Sequence, residues 1–150
     1  MTVNKRVKYL SRDSAFGILT RPALELTLSE HPRSKIVRIY VLDLNDIHKL
    51  NTSLGYDKVN EKITSILKSI SNSYKGLILG RVFSGDEIAI INAAGRHLPI
   101  SRITPFFQKQ GITFKCVYAE SYFGRSAKFY HKMFNKLSNQ LRDRNFYQVI

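Results

Sequence analysis

The chain has 150 residues, of which 43% are hydrophobic, and a formal net charge of +13 at pH 7. This length and composition fit one domain with a core of its own and exclude a low-complexity chain. No apolar run approaches the length of a membrane span, the N-terminus leads into no signal-peptide core, and the single cysteine, Cys116, excludes an internal disulfide. We therefore expect one cytoplasmic domain over residues 1–150.

The first half of the chain predicts a helix, a buried strand and two further helical segments. Thr20 is the expected N-cap of a helix that extends to about residue 31. A β-branched, mostly apolar run over 35–43 is typical of a strand buried on both faces. A short turn of helix from Ile47 then leads into a longer helix over 58–72, where apolar residues recur at helical spacing.

The second half of the chain predicts a hairpin followed by alternating helices and strands. Its elements are hairpin strands over 77–83 and 87–92, a helix over 100–109, a strand over 112–118, a helix ending near 142 and a short last strand over 146–150. This order fits an α+β fold with a ferredoxin-like core, in which helices flank a central, mostly antiparallel sheet. In such a core the first strand lies next to the hairpin.

Four of the eleven acidic residues lie at the ends of two predicted strands. They are Asp43 and Asp46 after the first strand, and Asp86 and Glu87 at the hairpin tip. Because the first strand should lie beside the hairpin, we expect Asp43 and Asp86 to converge. Clustered carboxylates repel each other unless a cation lies between them, and Mg²⁺ needs few protein oxygens when it is bound against phosphates. A solvated Gly-Asp turn is the alternative, but the second acidic strand end favours a metal site.

Four stretches of the chain resemble the GGDEF-domain family, the diguanylate cyclases. Residues 13–24 are similar to the entry motif D-x-L-T-G-L-x-N-R-x-x-L, and residues 43–60 to D-x-D-x-F-K-x-I-N-D-x-x-G-H-x-x-G-D. Ser84-Gly85-Asp86-Glu87-Ile88 stands where the signature lies, and Arg144-Asn145 resembles the closing G-R-N. The matches span nearly the whole chain at the right spacings. The resemblance implies a polymerase-palm-like nucleotidyl cyclase fold.

The resemblance also implies an activity, a metal and a partner. A cyclase of this family condenses two nucleoside triphosphates, here with GTP as the first choice, into a cyclic dinucleotide. The 3′-hydroxyl of one nucleotide attacks the α-phosphate of another, with Mg²⁺ or Mn²⁺ assisting and pyrophosphate leaving. Each domain holds one triphosphate, so turnover requires a homodimer.

The family motifs assign roles to individual residues by position. Asp43, the Leu44 carbonyl and Asp86 would hold the metals, and Asp86 and Glu87 would act in catalysis. The implied nucleotide-binding residues are Asp46, Ile47, His48, Asn51, Asn60, Ser84, Gly85 and Arg144. Among them, Asn51 and Asn60 would contact the guanine base, and backbone N–H groups over 46–48 would contact phosphates.

Several residues depart from the family pattern. Ser84 replaces the first signature glycine, His48 replaces a phosphate-facing lysine, and Asn60 replaces a base-reading aspartate. An amide both accepts and donates hydrogen bonds, whereas a carboxylate accepts both guanine donors, so Asn60 weakens or changes the preference for guanine. Gln140 falls where a late phosphate-binding lysine belongs, with Lys136 one turn earlier as a substitute.

Two other functions remain open from the sequence. The chain could be a degenerate domain that binds a nucleotide, a cyclic dinucleotide or a protein partner, or a palm cyclase of the CRISPR type that uses ATP. The recurrence of Lys128, Lys132 and Lys136 makes a basic stripe, which is either a solvated helix face or a contact for polyanions. Nucleic acid is not the favoured partner, since the chain has no zinc-ligand spacing, Walker loop or helix-turn-helix signature.

Overall fold

The computed structural model describes residues 12–31, 35–83, 86–93 and 96–143. These residues form five helices and four strands. In chain order they are α1 Arg21–Glu30, β1 Ile36–Leu44, α2 Ile47–Leu54, α3 Tyr56–Ser73, β2 Leu77–Phe83, β3 Glu87–Asn92, α4 Ile100–Gln108, β4 Phe114–Tyr122 and α5 Ala127–Arg142. None of these helices has both the length and the apolar character needed to cross a membrane.

The four strands form one sheet in the order β2-β3-β1-β4, and every neighbouring pair is antiparallel. This is the expected α+β arrangement, with the first strand beside the hairpin. β1 is an inner strand, so its last residues lie between the start of β3 and the start of β4. In this register Asp43 is opposite Glu87 on one side and Lys115 on the other.

The sheet is covered on both faces, which gives three layers. Because successive strand residues point to opposite faces, Leu42 and Leu44 pack in the core formed with α2, α3 and α4. Ile39 and Val41 pack in a second core with α1 and α5. Asp43 lies between Leu42 and Leu44 in the chain, so it is on the face that α5 covers.

Several predicted boundaries differ from those observed. Thr20 is the N-cap residue of α1 as predicted, but its side chain makes no capping hydrogen bond; its backbone carbonyl accepts from Leu24 N at 2.9 Å. The helix expected at 58 begins at Tyr56, directly after Gly55, whose φ of 87° separates α2 from α3. The strand expected to end at 118 continues to Tyr122, because β4 pairs with β1 along its whole length. The predicted last strand lies outside the described residues.

Residues 12–20, which precede α1 and are here called the entry segment, pair with the outer edge of β2 through Leu19. Leu19 N donates to Leu79 O at 3.1 Å, and Arg81 N donates to Leu19 O at 2.8 Å. Asp13 contributes a second contact, since its Oδ2 lies 3.1 Å from Arg81 Nη1. The entry segment is therefore tied to the strand that leads into the hairpin tip.

Candidate functional site

The ends of β1 and β3 bring three predicted acidic residues together. Asp43 is the cross-strand partner of Glu87, and Leu44 N donates to Asp86 O at 3.1 Å. The carboxylates of Asp86 and Glu87 both act electrostatically on Asp43. The convergence expected from the order of elements is therefore present in the structure.

Two of these carboxylates lie in surroundings that disfavour their charged form. Burial raises the pKa of Asp43, and the negative charges of Glu87 and Asp86 raise it further, while Lys115 and Arg142 partly offset them. Burial also raises the pKa of Asp86, and Arg81 opposes that rise. A cation bound between Asp43 and Asp86 would lower the pKa of both carboxylates, because it would favour their charged forms.

Glu87 has a different environment from Asp43, although the two are opposite each other in the sheet. Its side chain is on the face covered by α5, and the residue is only 6% exposed. Ser138 Oγ donates to Oε1 of Glu87, and Arg142 Nη2 donates to Oε2 at 3.4 Å. The carboxylate of Glu87 is therefore held by α5, which the sequence interpretation of Glu87 as a catalytic residue did not anticipate.

Two arginines fix the strand that leads into the hairpin tip. The guanidinium of Arg21 lies 4.6 Å from the centre of the Phe83 ring, and that of Arg142 lies 4.7 Å from the same centre. Arg21 Nη1 also donates to Val82 O at 3.2 Å. Val82 is the extra residue of a bulge in the pairing of β2 with β3. α1 and α5 thus hold the approach to Asp86 from one face of the sheet.

Sequence reasoning did not identify Ser138, Arg142, Lys115 or Arg81 as parts of this site. Arg142 and Glu87 are 55 residues apart, and Ser138 and Glu87 are 51 residues apart. No local motif connects such positions. Lys115 follows from the pairing of β4 with β1, so only the register of the sheet could have indicated it.

The loop between β1 and α2 presents backbone groups next to the acids. Asp46 precedes α2 with φ 57°, and no other non-glycine among the described residues has positive φ. Asn45 fixes this loop, because its N donates to Thr113 O at 2.8 Å. The first turn of α2 has no side-chain cap and no acidic residue, so its N–H groups suit an anion. Ile47 is buried and His48 is exposed.

Asn51 and Asn60, the residues predicted to contact the base, lie on neighbouring helices. Asn60 lines a cleft of about 620 Å³ between α3 and the entry segment, with Ser14 and Ala15 on its other side. Asn51 is not among the described residues that line this cleft. Its Oδ1 is buried without a hydrogen-bond partner in the described structure. The structure therefore places Asn60 at a cleft and leaves a buried acceptor on Asn51.

The donors at the strand ends fit a magnesium-type ion. Among the described residues, no group of three or more His, Cys, Asp or Glu side chains is arranged to hold a metal. Mg²⁺, however, is usually bound by one or two carboxylates with water and phosphate oxygens. Asp43 and Asp86 supply that number, and burial raises the pKa of both carboxylates, which a bound cation would counteract. Ser84, Gly85 and Arg144 lie outside the described residues.

Comparisons with known proteins bear on the fold. No family model matches the sequence, and no curated protein matches it significantly. A microbial GGDEF domain known for its interaction with cyclic di-GMP has a TM-score of 0.68 and 14% identity over 90% of both chains. Diguanylate cyclase SiaD of Pseudomonas aeruginosa, in complex with its activator SiaC, has a TM-score of 0.68 and 17% identity, over 91% of this chain and 58% of SiaD.

The GGDEF domain of FimX from Pseudomonas aeruginosa is a third match, with a TM-score of 0.61 and 13% identity over 87% of this chain and 93% of that domain. At these identities the likeness establishes the fold. It agrees with the four-stranded antiparallel sheet in the order β2-β3-β1-β4 and with its flanking helices. This chain has the fold of a GGDEF domain.

Proposed function

We propose that this protein is a nucleotidyl cyclase that condenses two nucleoside triphosphates, GTP by preference, into a cyclic dinucleotide. The observation that carries the proposal is the pair Asp43 and Asp86, two partly buried carboxylates with raised pKa at adjoining strand ends. A structural relative, SiaD, is a diguanylate cyclase. Buried like charges cost stability, so a chain that keeps them at one point is expected to use them.

Different residues of the site would bind the metal and the triphosphate. Asp43, Asp86 and the Leu44 carbonyl would hold Mg²⁺ or Mn²⁺, which when bound lowers the pKa of an attacking hydroxyl and neutralises charge on phosphate. Backbone N–H groups over 46–48 would orient the triphosphate at the start of α2.

The base and the second nucleotide complete the proposed arrangement. Asn60, at the cleft beside α3, and Asn51, whose Oδ1 has no hydrogen-bond partner among the described residues, would contact the base. Because one domain would hold one triphosphate, formation of the cyclic product would require two copies face to face. The rate per domain should therefore rise with protein concentration.

The direct test is incubation of the purified chain with each of the four nucleoside triphosphates and Mg²⁺ or Mn²⁺. We expect pyrophosphate release and a cyclic dinucleotide from GTP, detected by mass spectrometry. Asp86→Asn should lower the rate by about 100-fold or more, since it removes a metal-binding carboxylate. Glu30→Gln, which removes an exposed carboxylate at the end of α1, is the matched control and should retain the rate.

The proposal fails if folded protein at high concentration releases no pyrophosphate from any of the four nucleotides with either metal. A cyclic product from ATP alone would instead support a polymerase-like cyclase of the CRISPR type. Thermal denaturation of Asp86→Asn would show that a lost rate does not reflect a lost fold.

A domain that binds nucleotides without turnover is the second candidate. It is favoured by the buried carboxylate of Glu87, which Ser138 and Arg142 hold, and by the exposed His48 at a position where the family has lysine. Calorimetry with GTP and with cyclic di-GMP separates the two functions. Tight binding that Asp86→Asn leaves unchanged, together with no turnover, would support the binding role.

A further inference from the structure

The outer face of α5 carries a row of exposed lysines, Lys128, Lys132 and Lys136, here called the α5 basic stripe. Positions four apart lie on one side of a helix, and eight residues at 1.5 Å each place the first and last lysine about 12 Å apart along the axis. The opposite side of α5 is buried against the sheet through Tyr130, Phe134, Leu137 and Leu141. The stripe therefore faces away from the core.

The charge of this stripe is not balanced within the described part of the chain. None of the three lysines forms an ion pair there, and α5 itself contains no Asp or Glu. Like charges four residues apart disfavour a helix by about 0.2–0.5 kcal/mol per pair, and a lysine in the first turn opposes the helix dipole. The pattern costs local stability, and a bound polyanion would offset that cost.

The residues beside the stripe suit nucleic acid. Asn135, Asn139 and Gln140 line a shallow cleft of about 560 Å³ together with Lys132, Lys136 and Asp143, so two lysines there outnumber one carboxylate. The amides of Asn139 and Gln140 can donate to phosphate or sugar oxygens and can pair with base edges, while Asn135, whose Oδ1 accepts from Arg21, still has its NH₂ group to donate. Lysines one helical turn apart, about 6 Å, can follow successive phosphates along a strand.

An exposed aromatic residue adjoins the row of lysines. Phe129 is 42% exposed, and the guanidinium of Arg125 lies 5.8 Å from the centre of its ring. Such a ring can stack on an unpaired base. Since Phe129 is the one large exposed apolar residue of α5, this face lacks the broad apolar surface that an interfacial membrane helix inserts into lipid.

We propose that the α5 basic stripe, with Phe129 beside it, binds single-stranded nucleic acid, the lysines contacting phosphates and Phe129 stacking on a base. This activity is separate from the proposed nucleotidyl chemistry, because Lys128, Lys132 and Phe129 are not assigned to the nucleotide site. Lys136, which is also the expected substitute for a phosphate-binding lysine there, is left in place in the test below. A chain with no cyclase activity could therefore still bind nucleic acid through α5.

The test uses fluorescence anisotropy with labelled 20-nucleotide dT and rU strands. The charge variant is Lys128→Gln with Lys132→Gln, and the matched control is Lys58→Gln with Lys109→Gln, which removes two exposed lysines on the other side of the sheet. The logarithm of the binding constant falls as log salt rises. We expect the first variant to make this negative slope shallower by about 1.4, or about 0.7 per lost phosphate contact. The control should keep the wild-type slope.

Phe129→Ala tests the stacking step separately. We expect it to weaken binding by about 5- to 150-fold while the salt slope stays unchanged, since stacking releases no counterions. Circular dichroism of each variant confirms that α5 remains folded.

Three results would overturn the proposal. One is an equal loss of slope in both lysine variants, which would mean that net charge alone attracts the strand. Another is the absence of binding at about 0.05 M salt by folded wild-type protein. The third is binding to vesicles of 30% phosphatidylglycerol in phosphatidylcholine without binding to either strand.

Discussion

Asp43 and Glu87 show how two opposed carboxylates acquire different roles from their surroundings. Both lie on the sheet face covered by α5, and they are direct cross-strand neighbours. The Glu87 carboxylate receives hydrogen bonds from Ser138 and Arg142. The Asp43 carboxylate has Lys115 and Arg142 as more distant compensating charges, and its pKa is raised. At this site the carboxylate of Glu87 is buried and hydrogen-bonded within the protein. The carboxylate of Asp43 is the one whose negative charge a bound cation would neutralise.

Replacement of Asp43 by Asn is therefore expected to stabilise the fold near neutral pH. The folded-state pKa of Asp43 is raised above 3.8, so the contribution of Asp43 to stability is most favourable below that value and is lost as pH rises through the folded pKa. Asp43→Asn cannot ionise and should unfold a few degrees higher than the wild type at pH 7. Below pH 3.8 the difference should disappear, as thermal denaturation from pH 3 to 8 would show.

Two further measurements bear on this prediction. Mn²⁺ should raise the unfolding temperature of the wild type more than that of Asp43→Asn, because a bound metal stabilises only the protein that holds it. Glu61→Gln removes an exposed carboxylate of α3 beyond its first turn and should behave like the wild type. A lower unfolding temperature for Asp43→Asn at pH 7 would contradict the prediction.

At the scale of elements, the contact of α1 with β2 decides how the hairpin is held. Gly80 lies in β2 beneath Leu24 of α1, where the strand also pairs with Leu19 of the entry segment. Arg21 of the same helix reaches Val82 and Phe83. α1 therefore lies close to β2 at Gly80 and also makes the contacts that hold the end of β2 before Asp86.

A side chain at Gly80 should push α1 away from β2. A Cβ atom there would lie 2.8 Å from Leu24 Cδ2, 3.0 Å from Cδ1 and 3.1 Å from Cβ, and Leu24 is fully buried. Gly80→Ala is expected to lower the free energy of unfolding by about 1–3 kcal/mol, measured by urea denaturation.

The double variant with Leu24→Ala provides the control for this prediction. Leu24→Ala alone should cost about 2–5 kcal/mol, because it empties a fully buried site. In the double variant the new methyl group enters the emptied space, so the total loss should be smaller than the sum of the single losses. Additive losses would show that Gly80 does not approach Leu24 as the structure has it.

At the scale of the whole molecule, a net charge of +13 remains even when every carboxylate is counted, because 24 lysines and arginines face 11 aspartates and glutamates. Several of the carboxylates are engaged at short range, as in the pairs of Asp13 with Arg81 and Glu25 with His131. The remaining positive charge repels itself over the surface of a 150-residue domain. Repulsion of this kind is long-ranged and is screened by salt.

Salt should therefore stabilise the protein. We expect the unfolding temperature to rise by a few degrees as NaCl increases from about 0.05 to 0.5 M, because the Debye length falls and the repulsion weakens. KCl should give the same increase, since the effect depends on ionic strength. A fall in the unfolding temperature with either salt would mean that attractive pairs outweigh the repulsion.

Local patterns in the sequence were enough to predict the elements and their order. Apolar residues at strand and helix spacing predicted the hairpin strands with the bounds observed, Leu77–Phe83 and Glu87–Asn92. They failed at boundaries that depend on pairing, such as the extension of β4 to Tyr122, because a strand ends where its partner ends. The convergence of Asp43 and Asp86 also followed from the order of elements, since a β-α-β-β-α-β core places the first strand beside the hairpin.

The sequence by itself determined the fold class, the acidic strand ends and the basic stripe, because each depends on residues close together in the chain. Only the tertiary structure decided which carboxylate is available. Glu87 is held by Ser138 and Arg142, 51 and 55 residues away, and α5 brings them to it by packing across the sheet. Such contacts arise from the way whole elements pack, which the spacing of residues within one element does not record.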